Sequence, residues 1–405
     1  MTTPADPTSQ LFAGVKVLAV ARVVAAPFCA MHLAVNGADV ITIENPEEGD
    51  SQRTSEFRKE WLGMGRGFLT FNMNKRSLTL AINTPEGQEI FRKLARDADV
   101  VIENLRSGTM ARYGLGYEDL KKINPGIIFC SITGYGQTGP KARDPGIDDA
   151  IQAGSGLMSI TGTPETGPLK TGSTMVDFTS GYVAAFTIAG ALLQRSRTGL
   201  GQAIDLSMME VAMTLMGGEV TRAATDGDIP PLVGNGNGRG RYIRNAFRCK
   251  EGHVVVAASN PNLRKRFYEA IVRTELATDP RFATEELGRQ NLDQLNAEVE
   301  KTMMTRPAAE WEMYLNEKSV PAMQVLSLPE AINQPQVKAR NFMHTFEAAD
   351  GVAKFTVPTE PYRLSGSTAP ARKRAPKLGE HTDEILSGIG MSSEEIAKLR
   401  ERQVV

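Results

Sequence analysis

Cysteine is scarce: three in 405 residues, at Cys29, Cys130 and Cys249, with no Cys-x-x-Cys pair among them. That usage excludes a disulfide framework and a zinc ribbon and fits a reducing compartment. The four histidines, His32, His253, His344 and His381, have no ligand partner three or four positions away, so neither a zincin helix nor a facial triad is signalled. No Gly-x-Ser-x-Gly elbow supplies a serine nucleophile, and no Walker lysine follows a glycine-rich loop. A surplus of one charge is missing too. Forty-six basic and 47 acidic residues leave a net charge of −1, so no bulk field gathers nucleic acid or an anionic membrane. The opening MTTPADPTSQ has neither the basic start nor the apolar core of a signal peptide. The most continuous apolar run, residues 182–193, is interrupted by Thr187 and Gly190 and is shorter than the ~20 residues a bilayer requires. Together these absences predict a cytoplasmic protein that binds neither nucleic acid nor membrane, with no metal site.

What is present is an alternation of buried strands and helices. VKVLAVA (15–21) reads as a strand, PFCAMHLAVNG (27–37) as a helix with Pro27 in its first turn and Gly37 as its stop, and ADVITIE (38–44) as a second strand. Glu44 ends this βαβ unit about where a dinucleotide fold carries its ribose-binding acid. The intervening turn, ARVVAAP, contains no glycine, so its backbone cannot closely approach a pyrophosphate and a nicotinamide cofactor is excluded at the most specific feature. Further strands at 77–82, 99–104, 126–136 and 202–208 alternate with helices at 84–98, 116–125, 178–195 and 209–224, which predicts a doubly wound α/β sheet. Residues 226–245 are rich in glycine and poor in apolar side chains, the composition of a domain boundary. Beyond them come a hairpin (245–259) turning at Glu251-Gly252, helices at 261–273, 286–304 and 308–318, and a short strand at 321–326. Antiparallel strands follow at 341–364, then two terminal helices, the second opened by a capping pattern from Ser392 to Glu395.

Three stretches carry candidate chemistry. In TMVDFTSGY (174–182), Asp177 stands where an apolar segment turns into a helix; it reads either as a helix cap or as a carboxylate nucleophile. With serine, cysteine–histidine and metal chemistry unsignalled, a carboxylate is the natural candidate if the chain is an enzyme. In VIENLRSGTMARYG (101–114), a buried strand emits Glu103 and Asn104 at its C-terminal end, followed by Arg106 and Arg112 around Gly108. Ligands of open α/β sheets bind at such ends, and guanidinium forks match phosphate oxygens, although the arginines serve equally to solvate a helix face. GNGNGRGR (234–241) reads as a flexible linker or as a glycine lid.

FLTFNMNKRSLTLAINTPEG, the run from VIENLRSGTM to GYGQTGP, MVDFTSGYVAAFTIAGALLQRSRTGLGQAIDLSMMEVAM and the terminal LGEHTDEILSGIGMSSEEIAKLRERQVV together resemble the class III coenzyme A transferases, typified by formyl-CoA and carnitine-CoA transferases. The resemblance implies that Asp177 is the nucleophile, that Val24, Ala25, Leu80 to Asn83, Asn104, Leu105, Arg106 and Arg112 contact CoA, and that Gly238 and Gly240 belong to a glycine lid. It makes Asp148 a second catalytic carboxylate, lining the acyl pocket. It further implies a Rossmann-like large domain built from both chain ends (1–224 with 335–405), a smaller α+β domain (225–334) and an interlocked homodimer. The implied reaction moves CoA from an acyl-CoA thioester to a free carboxylic acid, with no permanently bound cofactor. Arg239, Arg241 or Arg244 then stand available for an acid's second carboxylate. The related α-methylacyl-CoA racemases offer an alternative, acyl-CoA isomerisation. They carry a catalytic histidine where this chain has Ile147, which argues for transfer. An ordinary aspartate pKa near 4 would keep Asp177 ionised without a separate base.

Overall fold

Apolar runs flanked by single polar residues give strands buried on both faces, the condition for a parallel sheet. In the computed structural model, which describes residues 10–56, 61, 63–236, 243–347, 354–367 and 372–405, six strands form one parallel sheet, its central strands buried on both faces and its last edge strand partly exposed. They are β1 (Lys16–Val20), β2 (Asp39–Glu44), β3 (Arg76–Thr79), β4 (Val100–Glu103), β5 (Ile128–Thr133) and β6 (Ala203–Ser207), in the spatial order β3-β2-β1-β4-β5-β6. The order reverses between β1 and β4, which places the ligand crevice of such a fold at the carboxyl ends of those two strands.

Five helices matter for the site. α1 (Ala25–Ala34) is buried on nearly every side, as a helix whose one strongly polar residue is His32 requires. α2 (Pro85–Arg96) opens as the sequence predicts, with Thr84 accepting a hydrogen bond from the Gly87 amide and Pro85 in the first turn. α3 (Asp148–Gly154), α4 (Met175–Thr198) and α5 (Met208–Leu215) follow. α4 is longer than the apolar run suggested. By length and composition alone its 24 residues are enough to cross a membrane, but Gly181 presses it onto α1, where a Cβ would lie 2.8 Å from both the Ala25 carbonyl and the Phe28 ring. The opposite face leaves Phe186 78% and Leu193 63% exposed.

The chain's end returns to the edge strand β3. The His381 amide donates to the Ser77 carbonyl (3.0 Å), the Thr79 amide to Thr382 Oγ1 (3.1 Å), and the Ala81 amide to the Val404 carbonyl (2.8 Å). Ile385, Leu386, Ile396 and Leu399 of the terminal helices join Leu18, Ile41, Leu78 and Phe91 in one core. A full capping box at Ser392 and Glu395 starts the last helix.

The chain divides into two compact units, residues Met1–Leu157, Thr171–Gly217 and Asn341–Val405 in one, Met158–Lys170 and Gly218–Arg340 in the other. The second contains a three-stranded antiparallel sheet whose Phe247, Val254 and Val256 pack with Phe267, Leu295 and Trp311. The division differs from the sequence reading in three places: residues 158–170, 218–224 and 335–340, all read as part of the large domain, group with the second unit. Residues 158–170 comprise a 3-10 turn and a hairpin of two two-residue strands.

Three helices are shorter than expected. The 116–125 helix reduces to Tyr117–Leu120, because Asn124 turns its amide to the Ala95 and Ala98 carbonyls just before Pro125. The 209–224 helix breaks at Met216 ahead of Gly217-Gly218, where helix propensity is lowest. The 286–304 helix splits at Asn291, which ends one helix and starts the next.

Candidate active site

The loop leaving β1 is held in an unusual conformation. Val23, a β-branched residue, has φ +68°, in the left-handed region that costs such side chains of order 1–3 kcal/mol. Its neighbours hold it there. Asn104, just past β4, accepts from the Arg22 amide (2.9 Å) and donates to the Arg22 carbonyl (2.8 Å). Asp50 accepts from the Val23 amide (3.0 Å). This clamp joins the two strands of the switch point and shapes a cavity of about 320 Å³, walled by Arg22, Val24, Ala25, Leu105, Ile147 and Asp177 among others. Backbone closes the wall near β5, where Gly134 and Gly146 approach so tightly that a Cβ on either would lie 2.7 Å from the other's Cα. A second cavity of about 240 Å³ shares Arg22 and Leu105 with the first and runs to Leu80, Asn83, Thr109 and Tyr113.

Asp177 reaches the first cavity from the opening turn of α4. It is not the cap. Thr174 takes that position without a side-chain bond, and a neighbouring carboxylate serves instead. Asp148 accepts from the Asp177 amide (2.9 Å) and from Gln152 Nε2 (2.5 Å), while Gln152 Oε1 accepts from the Thr171 amide (2.9 Å). Phe178 packs edge-on against Phe28 at 5.0 Å, fixing the rotation of the turn. Burial first, then the charges of Asp148 and Asp149, push the Asp177 carboxyl up from its ordinary 3.8 to about 7. The expectation of an ordinary value near 4 is therefore corrected: the helix start that favours an anion is outweighed by desolvation and by two like charges. Beneath the switch point, burial also raises Glu103 to about 7; its carboxylate accepts from the Leu105 amide (2.9 Å) and so holds a residue that lines both cavities.

Glu44 is no ribose ligand. Its carboxylate is paired with Arg53 at 2.7 Å through both oxygens and accepts from Ser77 Oγ (2.8 Å), all within the core. Among the described residues no three His, Cys, Asp or Glu side chains are grouped to hold a metal.

The family description "CoA-transferase family III" matches residues 12–382. The chain belongs to CoA-transferase family III. It is 36% identical to the acetyl-CoA:oxalate CoA-transferase of Acetobacter aceti, across 94% of this chain and 95% of that one. It is 34% identical to the succinate–glutarate CoA-transferase of Agrobacterium fabrum, across 92% and 94%. A solved structure of a CAIB/BAIF family protein from Brucella suis superimposes with a TM-score of 0.82 at 33% identity, covering 94% of this chain and all of that one. The protein is thus an enzyme of the class III CoA-transferase type.

Within this class III CoA-transferase, the residues singled out from sequence fall in several places. Val24, Ala25, Asn104, Leu105, Arg106 and Asp177 line the first cavity. Leu80 and Asn83 line the second. Arg112 is exposed beside it, donating to Thr109 Oγ1 at 3.1 Å. Asp148, 4% exposed, does not line the cavity; it stands behind Asp177, because its oxygens are turned to the α4 amide and to Gln152. Gly238 and Gly240, with Arg239 and Arg241, lie outside the described residues, and Arg244 is an exposed residue of the second unit's sheet. Arg22, which lines both cavities, was not singled out. The turn that carries it, ARVVAAP, drew notice for its lack of glycine and, through the resemblance, for Val24 and Ala25, although a cation directly after a buried strand is itself a signal.

Proposed function

We propose that the enzyme transfers CoA from an acyl-CoA thioester to a carboxylic acid through covalent intermediates on Asp177. The observation that carries this reading is the part-buried Asp177 carboxylate in the wall of a cavity at the β1/β4 switch point, which Arg22 and Arg106 also line; the other carboxylate of the wall, Asp144, is paired with Lys141 at 3.3 Å. An Asp177 oxygen attacks the thioester carbonyl; the C–S bond breaks, CoA leaves as thiolate, and an acyl–aspartyl anhydride remains. The thiolate then attacks the aspartyl carbonyl, releasing the donor acid as carboxylate and leaving an aspartyl-CoA thioester. The acceptor carboxylate repeats these steps in reverse, ending as acyl-CoA with Asp177 regenerated. No proton need move.

The raised Asp177 pKa serves this chemistry. A desolvated carboxylate crowded by Asp148 is relieved when it becomes a neutral anhydride, so burial strain in the free enzyme is released as the acyl bond forms. The same burial keeps water from the anhydride. Arg112, Asn83 and Leu80 would receive the nucleotide end of CoA. The apolar stripe of Tyr182, Phe186 and Leu193 on α4 is covered, in this reading, by a second copy of the chain, as in the interlocked dimers that the family resemblance implies.

Because relatives such as the Acetobacter and Agrobacterium enzymes are named for oxalate and for succinate and glutarate, dicarboxylic acids are the acceptor class to test first. A panel of acyl-CoA donors and acids, read by mass spectrometry, should show a new acyl-CoA for at least one pair with the wild type and none with Asp177→Ala. Transfer at the same rate in the variant contradicts the proposal.

A further inference from the structure

We infer that Arg22 receives the diphosphate of CoA and that Asn104 acts through Arg22 rather than on the ligand. The inference rests on the function proposed above. Arg22 is the cation common to both cavities. Arg106 lines only the first, and Arg112 sits past the second, at Thr109. Among the described residues the Arg22 guanidinium makes no hydrogen bond or ion pair, although its backbone is bonded at both N–H and C=O. A molecule spanning the two cavities with its thioester at Asp177 therefore meets cations at its middle and at its far end. CoA has that charge pattern: a neutral pantetheine arm, a diphosphate next, and a 3′-phosphate on the nucleoside. A guanidinium fork suits a diphosphate, to which it can donate in parallel to two oxygens.

The backbone explains why this arginine is pre-aimed. Asn104 uses both its amide oxygen and its amide nitrogen on Arg22, at 2.9 and 2.8 Å, and Asp50 fixes Val23 in its strained conformation next door. A guanidinium on a loop held at three points loses less freedom on binding than one on a free loop. Asn104 is therefore a positioning residue.

Calorimetric titration of the full-length enzyme with CoA, dephospho-CoA and pantetheine tests this. Wild type should bind CoA; if it does not, the proposed function falls and this inference with it. Arg22→Ala should weaken CoA about 10- to 100-fold, the range of a charge-assisted pair. It should weaken dephospho-CoA by the same factor, because the diphosphate is present in both, and leave pantetheine unchanged. Its melting temperature should stay at the wild-type value, since the side chain is exposed, and kcat at saturating acyl-CoA should fall far less than kcat/KM for acyl-CoA. Asn104→Ala should reproduce part of the loss, and adding it to Arg22→Ala should cost less than twofold more. Unchanged CoA affinity in Arg22→Ala overturns the inference while leaving the proposed function standing. So does a loss seen with CoA but absent with dephospho-CoA, which would put Arg22 on the 3′-phosphate. A loss confined to the KM of the acid acceptor, which would put Arg22 on a carboxylate, also overturns it. Fully additive effects of the two substitutions overturn the positioning role of Asn104.

Discussion

Replacing Asp177 by Asn should stabilise the protein at alkaline pH while abolishing transfer. Asn keeps the side chain's size, and the bond from the residue-177 amide to Asp148 is a backbone bond that the substitution leaves in place. What it removes is a charge that burial and two neighbouring carboxylates disfavour. The rise from 3.8 to about 7 corresponds, at ~1.4 kcal/mol per pH unit, to ~4 kcal/mol against the ionised form. Asp177 is only part-buried, so solvent screening and the helix start reduce this to about 1–3 kcal/mol. The sign follows from linkage. The folded state holds the proton more tightly than the unfolded one, so this destabilisation is absent below pH 3.8, grows between 3.8 and about 7, and is complete above. Melting curves of wild type and Asp177→Asn should therefore nearly coincide at pH 4 and separate at pH 8.5, the variant melting higher. In parallel, the wild-type kcat/KM should fall as the pH drops through about 7, where the nucleophile protonates, and not through 4. A variant that melts at or below wild type at pH 8.5, with an acid limb near 4, would refute the raised pKa and the relief of charge built on it.

Gly181→Ala should lower stability by about 1–3 kcal/mol and reduce activity, because the new methyl meets the Ala25 carbonyl and Phe28 at 2.8 Å and must push α1, whose first residue lines the cavity, away from α4; an unchanged melting temperature contradicts that packing. Arg53→Ala should cost about 3–5 kcal/mol by leaving the Glu44 carboxylate buried without its partner, and a shift in urea midpoint equivalent to less than 1 kcal/mol would show that the pair is dispensable. No deuterium should enter the α-carbon of a 2-methylacyl-CoA from D₂O, since Ile147, 68% exposed on the cavity wall, can carry no proton; rapid uptake lost on substituting Asp177 would favour isomerisation over transfer.

The parallel sheet was legible because β1, β2, β4 and β5 are apolar runs of Val, Ile, Leu or Phe, and because Thr84-Pro85 and Ser392 announce their helices in the usual capping positions. The helix breaks at Met216 and Asn291 were not, since both lie inside continuous periodic patterns. Asp177, Asn104 and Arg106 could be singled out from their place at element ends, but their roles could not. That Asp148 stands behind Asp177 rather than in the cavity depends on a bond across 29 residues, and that Asn104 grips Arg22 depends on one across 82. The raised pKa likewise has no trace in MVDFTSG; it arises from burial and from carboxylates that only the fold brings near.

The central claim is that Asp177 bears the transferred groups. Incubation with an accepted acyl-CoA, trapping with hydroxylamine or reduction with borohydride, and peptide mapping by mass spectrometry test it most directly. The modification should fall on the peptide containing Asp177, and Asp177→Asn should fold, show no adduct and lose nearly all transfer. An adduct mapped to another residue, or substantial transfer by the Asn variant, would contradict the account.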